Sequence, residues 1–355
     1  MRQGFPSSIV AAAVLAVGLL GSVLTGTRAE AACGAVSCFL VIGSQQQIPQ
    51  AGLLTVNGIY SYTPMTTPTG STGIIPEVDP STKRVVPGHH RELMTITNSY
   101  TLDVNYGITD RLGVEITAPF MFRKHAHFHV HGGRDADLIN FKDNGIGDIR
   151  ITGKYNVLPT IRSMVVAGIG IDLPTGKNQS RDSLNGILEP AGQIGRGQVG
   201  LIGSLYQTYE LIPHQLSQFS YVQYRHTFRN HLGYQYGDEY LFNIGLNYVT
   251  PIPWLAITQQ INYRYTTHDT FYGINPANTP IHDIAIPNTG STFTAYTPGI
   301  LVTFDETTQA YFYAQVPIAR DANNNLAQDT SYVFGVTKFF DTNAWGTKGA
   351  NQEPG

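Results

Sequence analysis

Charge is scarce in this sequence. Asp, Glu, Lys and Arg make up 13% of its 355 residues, about half the ~25% of ordinary soluble domains, a poor match for a cytosolic enzyme. Neither sign dominates: the formal net charge is −3, which excludes the basic footprint of a nucleic-acid binder. Cysteine occurs only as Cys33 and Cys38. With no C-x-x-C-H and no second pair, a haem attachment site or a four-cysteine zinc site is excluded. Beyond the first 24 residues no apolar run approaches the ~20 residues of a membrane-spanning helix. Abundant instead are glycine (37) and tyrosine (20), with Thr, Asn and Gln at the polar positions, a composition that suits a two-faced sheet.

The first residues read as an address. Arg2 precedes an apolar run from Ile9 to Leu24, interrupted by Gly18, Gly21 and Ser22, and Ala29-Glu30-Ala31 follows. This is the layout of a secretory signal peptide, residues 1–31, with cleavage expected after Ala31. Losing Arg2, Arg28 and Glu30 with it leaves 20 basic against 24 acidic residues. Cys33 and Cys38 then enter a compartment where thiols oxidise, and a small disulfide loop is expected in a leader of residues 32–51. Phe39 to Ile42, with Gln45 to Gln47 behind them, make that leader either a plug entering the folded domain or a disordered lead-in. An apolar tetrad tethered to a cysteine loop favours the plug.

Residues 94–108 set the fold class. Met94, Ile96, Tyr100, Leu102, Val104, Tyr106 and Ile108 share one parity, with Asn98 the exception, while Thr95, Thr97, Ser99, Thr101, Asp103 and Asn105 share the other. Successive side chains of a strand point to opposite faces, so one apolar and one polar face persist for some 15 residues, far beyond the usual five or six. The period returns in Leu112–Phe122 and in Ile149–Val157. It returns again in Tyr240–Tyr248, opposed by Asn243 and Asn247, and in Leu255–Tyr265, opposed by Thr258, Gln260, Asn262 and Arg264.

Strands are expected at 52–63, 93–108, 112–123, 147–157, 162–172, 199–210, 218–227, 239–250, 255–265, 294–305, 309–317 and 331–340. Short turns near 109–111, 158–161, 211–217, 251–254 and 306–308 alternate with long connections near 64–92, 124–146, 173–198, 228–238, 266–293 and 318–330. Long two-faced strands, alternating connection lengths and aromatics near strand ends define an all-β fold: a transmembrane antiparallel up-and-down β-barrel of about twelve strands. A sheet in hydrocarbon must close to leave no unpaired edge, and lipid touches the apolar parity. Both termini fall on the short-turn side, the periplasm of a Gram-negative cell. The barrel is placed at 52–340 and a polar C-terminal tail at 341–355. Strand 199–210, where Leu201, Ile202, Leu205 and Tyr206 show no clean parity, leaves ten or fourteen strands as alternatives.

Three motifs carry a resemblance. "GIGDIRITGKY" (145–155), "GIDLPTGK" (170–177) and Gly195-Arg-Gly197, together with the turn "YGITDRLGVEITAPF" (106–120), resemble the outer-membrane barrels grouped as transporters of the meta-pathway of phenol degradation. The likeness covers roughly residues 94–210. It implies an outer-membrane location, a barrel, and passage of hydrophobic or aromatic compounds. The G-x-G at 145–147 lacks a following helix and is not a nucleotide loop.

The inward parity supplies the candidate lumen residues: Asp103, Glu115 and Asp148 against Arg150, Lys154, Arg225 and Arg264, with Tyr311 and Tyr313 as an aromatic patch beside Gln315. These charges either pair across the lumen or set the field along a conduit. His125, His127, His129 and His131 recur at every second position on the expected 124–146 connection, with His89 and His90 on the preceding one. If the segment stays extended the four imidazoles share a face and can offer Zn²⁺ or Cu²⁺ a site, aided by Asp135 or Asp137; otherwise they decorate a polar loop. Ser220 and His226 lie about 20 Å apart on one strand by its rise per residue, which argues against a hydrolase. The expected function is an outer-membrane transporter or narrow channel for small molecules, hydrophobic or aromatic ones among them, with lipid and solute as partners and no catalytic residue. The alternative is a surface metal-binding or structural barrel working through its histidine-rich loops.

Overall fold

The structure, a computed structural model, describes residues 42–70, 74–79, 82–181, 187–188, 192–274 and 278–342. The expected signal peptide, the cysteine pair and all but the first two residues of the expected tail lie outside the described residues. After one helical turn, α1 (Gly43–Gln46), come β1 (Leu53–Pro68), β2 (Ile74–Asp79), β3 (Arg84–Gly107), β4 (Leu112–His131), β5 (Arg134–Ile146), β6 (Ile149–Asn156), β7 (Ser163–Leu173), β8 (Gly200–Ile212) and β9 (Leu216–Thr227). The second half holds β10 (Tyr234–Gln235), β11 (Glu239–Val249), β12 (Leu255–Thr266), β13 (Thr270–Ile274), β14 (Pro280–Ala285), β15 (Ser291–Asp305), β16 (Thr308–Asp321), β17 (Leu326–Gln328) and β18 (Ser331–Asp341).

Twelve of these close a barrel. β1, β3, β4, β6, β7, β8, β9, β11, β12, β15, β16 and β18 pair in chain order, each antiparallel to the next, and β18 returns to β1. Leu53 stands opposite Asp341 and Tyr62 opposite Tyr332, so the seam is zipped over its whole length. Burial settles which parity faces out. Asn262 is fully buried while its neighbour Ile261 is 38% exposed, and Asp103 is fully buried while Leu102 is 51% exposed. The apolar parity forms the outer band and the polar parity fills the interior. β8 accounts for its irregular pattern: Leu201 and Leu205 point out, whereas Ile202 and Tyr206 point in, and Tyr206 packs with Val166, Phe219, Tyr221 and Ile48. Both faces of that strand are apolar because its inner face receives part of the N-terminal segment.

The expected loop at 124–146 is a hairpin. β3 has 24 residues and β4 20, about twice the 9–11 that a barrel strand needs to cross a bilayer, so the sheet continues beyond the barrel. β5 returns along β4 from Arg134↔His131 to Ile146↔Phe120. The two-residue turn is Gly132-Gly133, with φ of 58° and 78°, the left-handed pair that a tight hairpin requires and glycine adopts without strain. The histidine segment therefore lies on a strand rather than a loop.

A second, three-stranded sheet of β10, β13 and β14 gathers at the same end. Val78, Tyr234, Tyr236, Phe271 and Ile286 form its core. Burial pushes the Asp269 carboxyl up there, although it accepts hydrogen bonds from the Tyr234 hydroxyl and, at 2.7 Å, the Gly237 amide.

Candidate lumen site

The inward residues of neighbouring strands assemble two charged layers. In the layer towards the long connections, Arg150 of β6 donates through Nε to Asp172 of β7 at 2.8 Å, and Arg225 of β9 reaches across β8 to the same carboxylate at 2.6 Å. Arg225 also lies 3.9 Å from Glu239 of β11. In the layer towards the short turns, Lys154 of β6 pairs with Glu115 of β4 and donates to the backbone carbonyl of Gln45. Asp103 accepts from Asn57 Nδ2 at 2.7 Å and from the Thr117 hydroxyl at 3.1 Å. Asn105 Nδ2 donates to the Gln47 carbonyl at 2.8 Å. Buried charge is tolerable only when paired and hydrogen-bonded, and the register supplies each partner from an adjacent or next-but-one strand.

Two segments fold into this space. Residues 42–50 run inward from the short-turn end: Pro49 and Gln50 carbonyls press on Gly107, and Ile42 is buried among Tyr311, Tyr313 and Val333. From the other end, the β7–β8 connection is held by Asp148, which accepts from the amides of Gly176 at 3.0 Å and Arg196 at 2.8 Å. Gly176 and Gly195 touch backbone to backbone there, leaving no room for a Cβ on either. The Arg196 side chain, thus delivered into the barrel, donates to Thr227 Oγ1 at 2.8 Å and lies 5.0 Å over the Tyr236 ring. Arg123 donates to Thr97 at 3.1 Å and to the Gln193 carbonyl of the same connection.

Between the two segments a cavity of about 290 Å³ remains. Its wall carries Arg123, Arg150, Lys154, Arg196 and Arg225 against Glu115, Asp148, Asp172 and Glu239, five cationic groups to four acidic. An apolar strip that includes Ile194, Ile202, Tyr221, Tyr236 and Leu241 lies beside them. Water, small ions and a ring-sized organic molecule fit such a space.

The structure brings Glu115, Asp148, Arg150, Lys154 and Arg225 to this cavity. Asp103 is inward but buried beneath it in the network with Asn57. Arg264 points inward towards Gln328 Oε1 at 3.4 Å, with its guanidinium 5.2 Å over the Phe293 ring. Tyr311 and Tyr313 are inward too, but their rings lie flat over Gly335 and Gly299 and are covered by Ile42, so they form a packed cluster rather than an aromatic patch open to solute. Sequence reasoning passed over Asp172, Glu239, Arg123 and Arg196. Parity alone marks Glu239 and Asp172; Arg196 sits in a connection, where no periodic signal exists.

Of the histidines, His125 and His127 are buried, His129 half-buried and His131 exposed. His226 has an orienting carboxylate that the sequence did not reveal, Asp238, whose Oδ1 is 2.7 Å from Nδ1. Ser220 donates instead to Gln207 Oε1 at 3.1 Å, so this His–Asp pair has no serine nucleophile in Ser220.

No family model and no curated protein matches the sequence. Among solved structures the chain is similar to an outer membrane channel from Pseudomonas putida F1, at 13% identity and a TM-score of 0.56, over 85% of this chain and all of that one. It also resembles the transport unit of the autotransporter AIDA-I from Escherichia coli (11%, TM-score 0.47, 86% and 95% covered) and the CymD monoaromatic hydrocarbon channel (11%, TM-score 0.39, 82% and 89% covered). The first of these places the fold among outer-membrane β-barrels.

Proposed function

We propose that the protein is an outer-membrane channel for small organic solutes, with both termini in the periplasm, and that the preferred solute has an apolar or aromatic body and a carboxylate. The observation that carries this is the cavity, where one more cation than carboxylate faces an apolar strip inside a closed polar barrel. The Arg196 guanidinium, held by a neutral hydroxyl and an aromatic face, is placed to receive an anionic group, and Tyr236 and Leu241 to receive a ring. Buried dipoles and charges along a conduit act at low dielectric, so a slight excess of one sign selects permeants. The barrel likeness to a protein described as an outer membrane channel supports the same reading.

Uptake by vesicles carrying the refolded protein tests it. Benzoate should enter faster than benzylamine or benzyl alcohol, and Arg196→Gln should remove the preference. Equal rates for all three, or none above protein-free vesicles, would overturn the proposal. Labelling of intact cells tests the orientation: a cysteine introduced by Gly132→Cys should react with an impermeant maleimide, and one introduced by Asp110→Cys should not.

A further inference from the structure

The same β3–β4 sheet carries a second constellation outside the cavity. Along β4, residues 123, 125, 127, 129 and 131 form a line of one parity, from Arg123 on the cavity wall to His131 at the exposed tip. β3 meets that line with His90 opposite His129 and Glu92 opposite His127. It does so through a bulge. The register shifts between Glu92 and Met94, and the extra residue, Leu93, switches the inward parity from the odd positions 95, 97 and 99 to the even positions 92 and 90. Bulges re-aim side chains in this way; without it Glu92 and His90 would face away from the histidine row.

The result is three overlapping groups whose donor atoms lie within 4.8 Å of one another: His129, His131 and Asp137 at the exposed tip, His89, His90 and His129 below, and His90, Glu92 and His127 innermost, all three buried. We propose that His90, Glu92 and His127 bind a borderline divalent transition cation, of which Zn²⁺ is the type, and that the two outer groups are its way in. Two imidazoles and one carboxylate make a donor set such ions accept, with a fourth position left for water.

The arrangement around the inner group prepares it for that role. His125 holds Thr95 Oγ1 at 2.8 Å through Nδ1, and its Nε2 lies 3.2 Å from Glu92 Oε2 and 3.0 Å from His127 Nδ1. With a cation on His127 Nε2, the His127 Nδ1–H donates to His125 Nε2 and the His125 Nδ1–H to Thr95 Oγ1, so the chain His127–His125–Thr95 orients this ligand and selects Nε2 as its ligating nitrogen. Outer partners of this kind orient ligands and raise affinity. Glu92 Oε1 is buried with no hydrogen-bond partner among the described residues, a costly condition for a carboxylate oxygen that a cation relieves. His90 stacks on His127 with ring centroids 4.1 Å apart, and one ligand atom from each of His90, Glu92 and His127 lies within 4.8 Å of the other two. The buried Arg123 ends the line with a positive charge, so the cation is held here and does not pass down into the cavity.

Isothermal titration of the refolded full-length barrel with Zn²⁺ tests the site, alongside Co²⁺ absorption in the visible as a readout of coordination geometry. One ion per chain is expected, with no heat from Mg²⁺ or Ca²⁺. Glu92→Gln and His127→Ala should each weaken binding about tenfold or more, by the measure of lost ligands and their supports, and His131→Ala should leave the affinity within a few-fold. The mobility shift of the folded barrel on unheated gels verifies that each variant has assembled, and Glu92→Gln, the same shape as the native residue, keeps the test valid if His127→Ala fails to fold. Unchanged affinity in Glu92→Gln, or loss of binding in His131→Ala alone, overturns the proposal, as does several equivalent ions per chain. None of these readouts depends on transport.

Discussion

Gly195 packs its backbone directly on that of Gly176: a Cβ built on Gly195 would stand 2.4 Å from the Gly176 carbonyl carbon. This contact sets how far the β7–β8 connection enters the barrel, and with it the position of Arg196. Gly195→Ala should lift the connection, cost about 1–3 kcal/mol as overpacking does, and increase single-channel conductance while weakening anion preference. Planar-bilayer recordings with a reversal-potential measurement would show both changes; an unaltered current would mean that the connection does not narrow the path.

Asp172 compensates two guanidiniums at once. Asp172→Asn leaves Arg150 and Arg225 facing each other in a largely buried layer, and loss of one member of such a group costs about 3–5 kcal/mol. Urea unfolding in lipid vesicles should register that loss, and the permeability ratio should move towards anions.

Adjacent residues of β12 separate the outer surface from the inner one. Ile261→Arg, on the outward face, should destabilise the barrel by about 2–4 kcal/mol, as charges near the bilayer midplane do. Lipid-vesicle unfolding measures the difference, and a spin label at position 261 should be accessible to oxygen dissolved in lipid, whereas one at 262 should not.

Ile42 anchors the segment that enters from the short-turn side. Ile42→Asp removes an apolar contact worth about 1.5–3 kcal/mol and sets a carboxylate against Tyr311 and Val333. The segment should detach and conductance rise, while unheated-gel mobility stays that of a folded barrel.

Much of this architecture was legible because a spanning sheet obeys one general rule: its faces are chemically unlike. Met94–Ile108 announced both the strand and its direction of facing, and Lys154, Glu115 and Arg225 were placed by the same parity. The rule fails where a face changes purpose. Ile202 and Tyr206 looked irregular because both are apolar residues of the inner wall, Tyr206 packed with Ile48 and Ile202 lining the cavity. The histidine segment looked like a loop because its apolar parity fades past Phe122, although Gly132-Gly133 is a hairpin signal and the strand continues around it. Glu92 and His90 lay beyond any reading by parity, since the bulge at Leu93 switches the face. Arg196 depends on a contact between two glycines remote in sequence, for which no local pattern exists.

β5 pairs with β4 along one side only. Among the described residues no strand covers its other side, and although the Asn144 carbonyl is taken by Lys177 Nζ at 2.9 Å, such an edge is the kind of template on which a foreign strand can grow. Arg134, Asp135, Asp137, Lys142 and Asp143 all lie on this strand. An approaching chain would have to strip water from ions of both signs to dock there. The free edge of the hairpin is thus guarded against fibre-like stacking by some of the few charges this sequence spends.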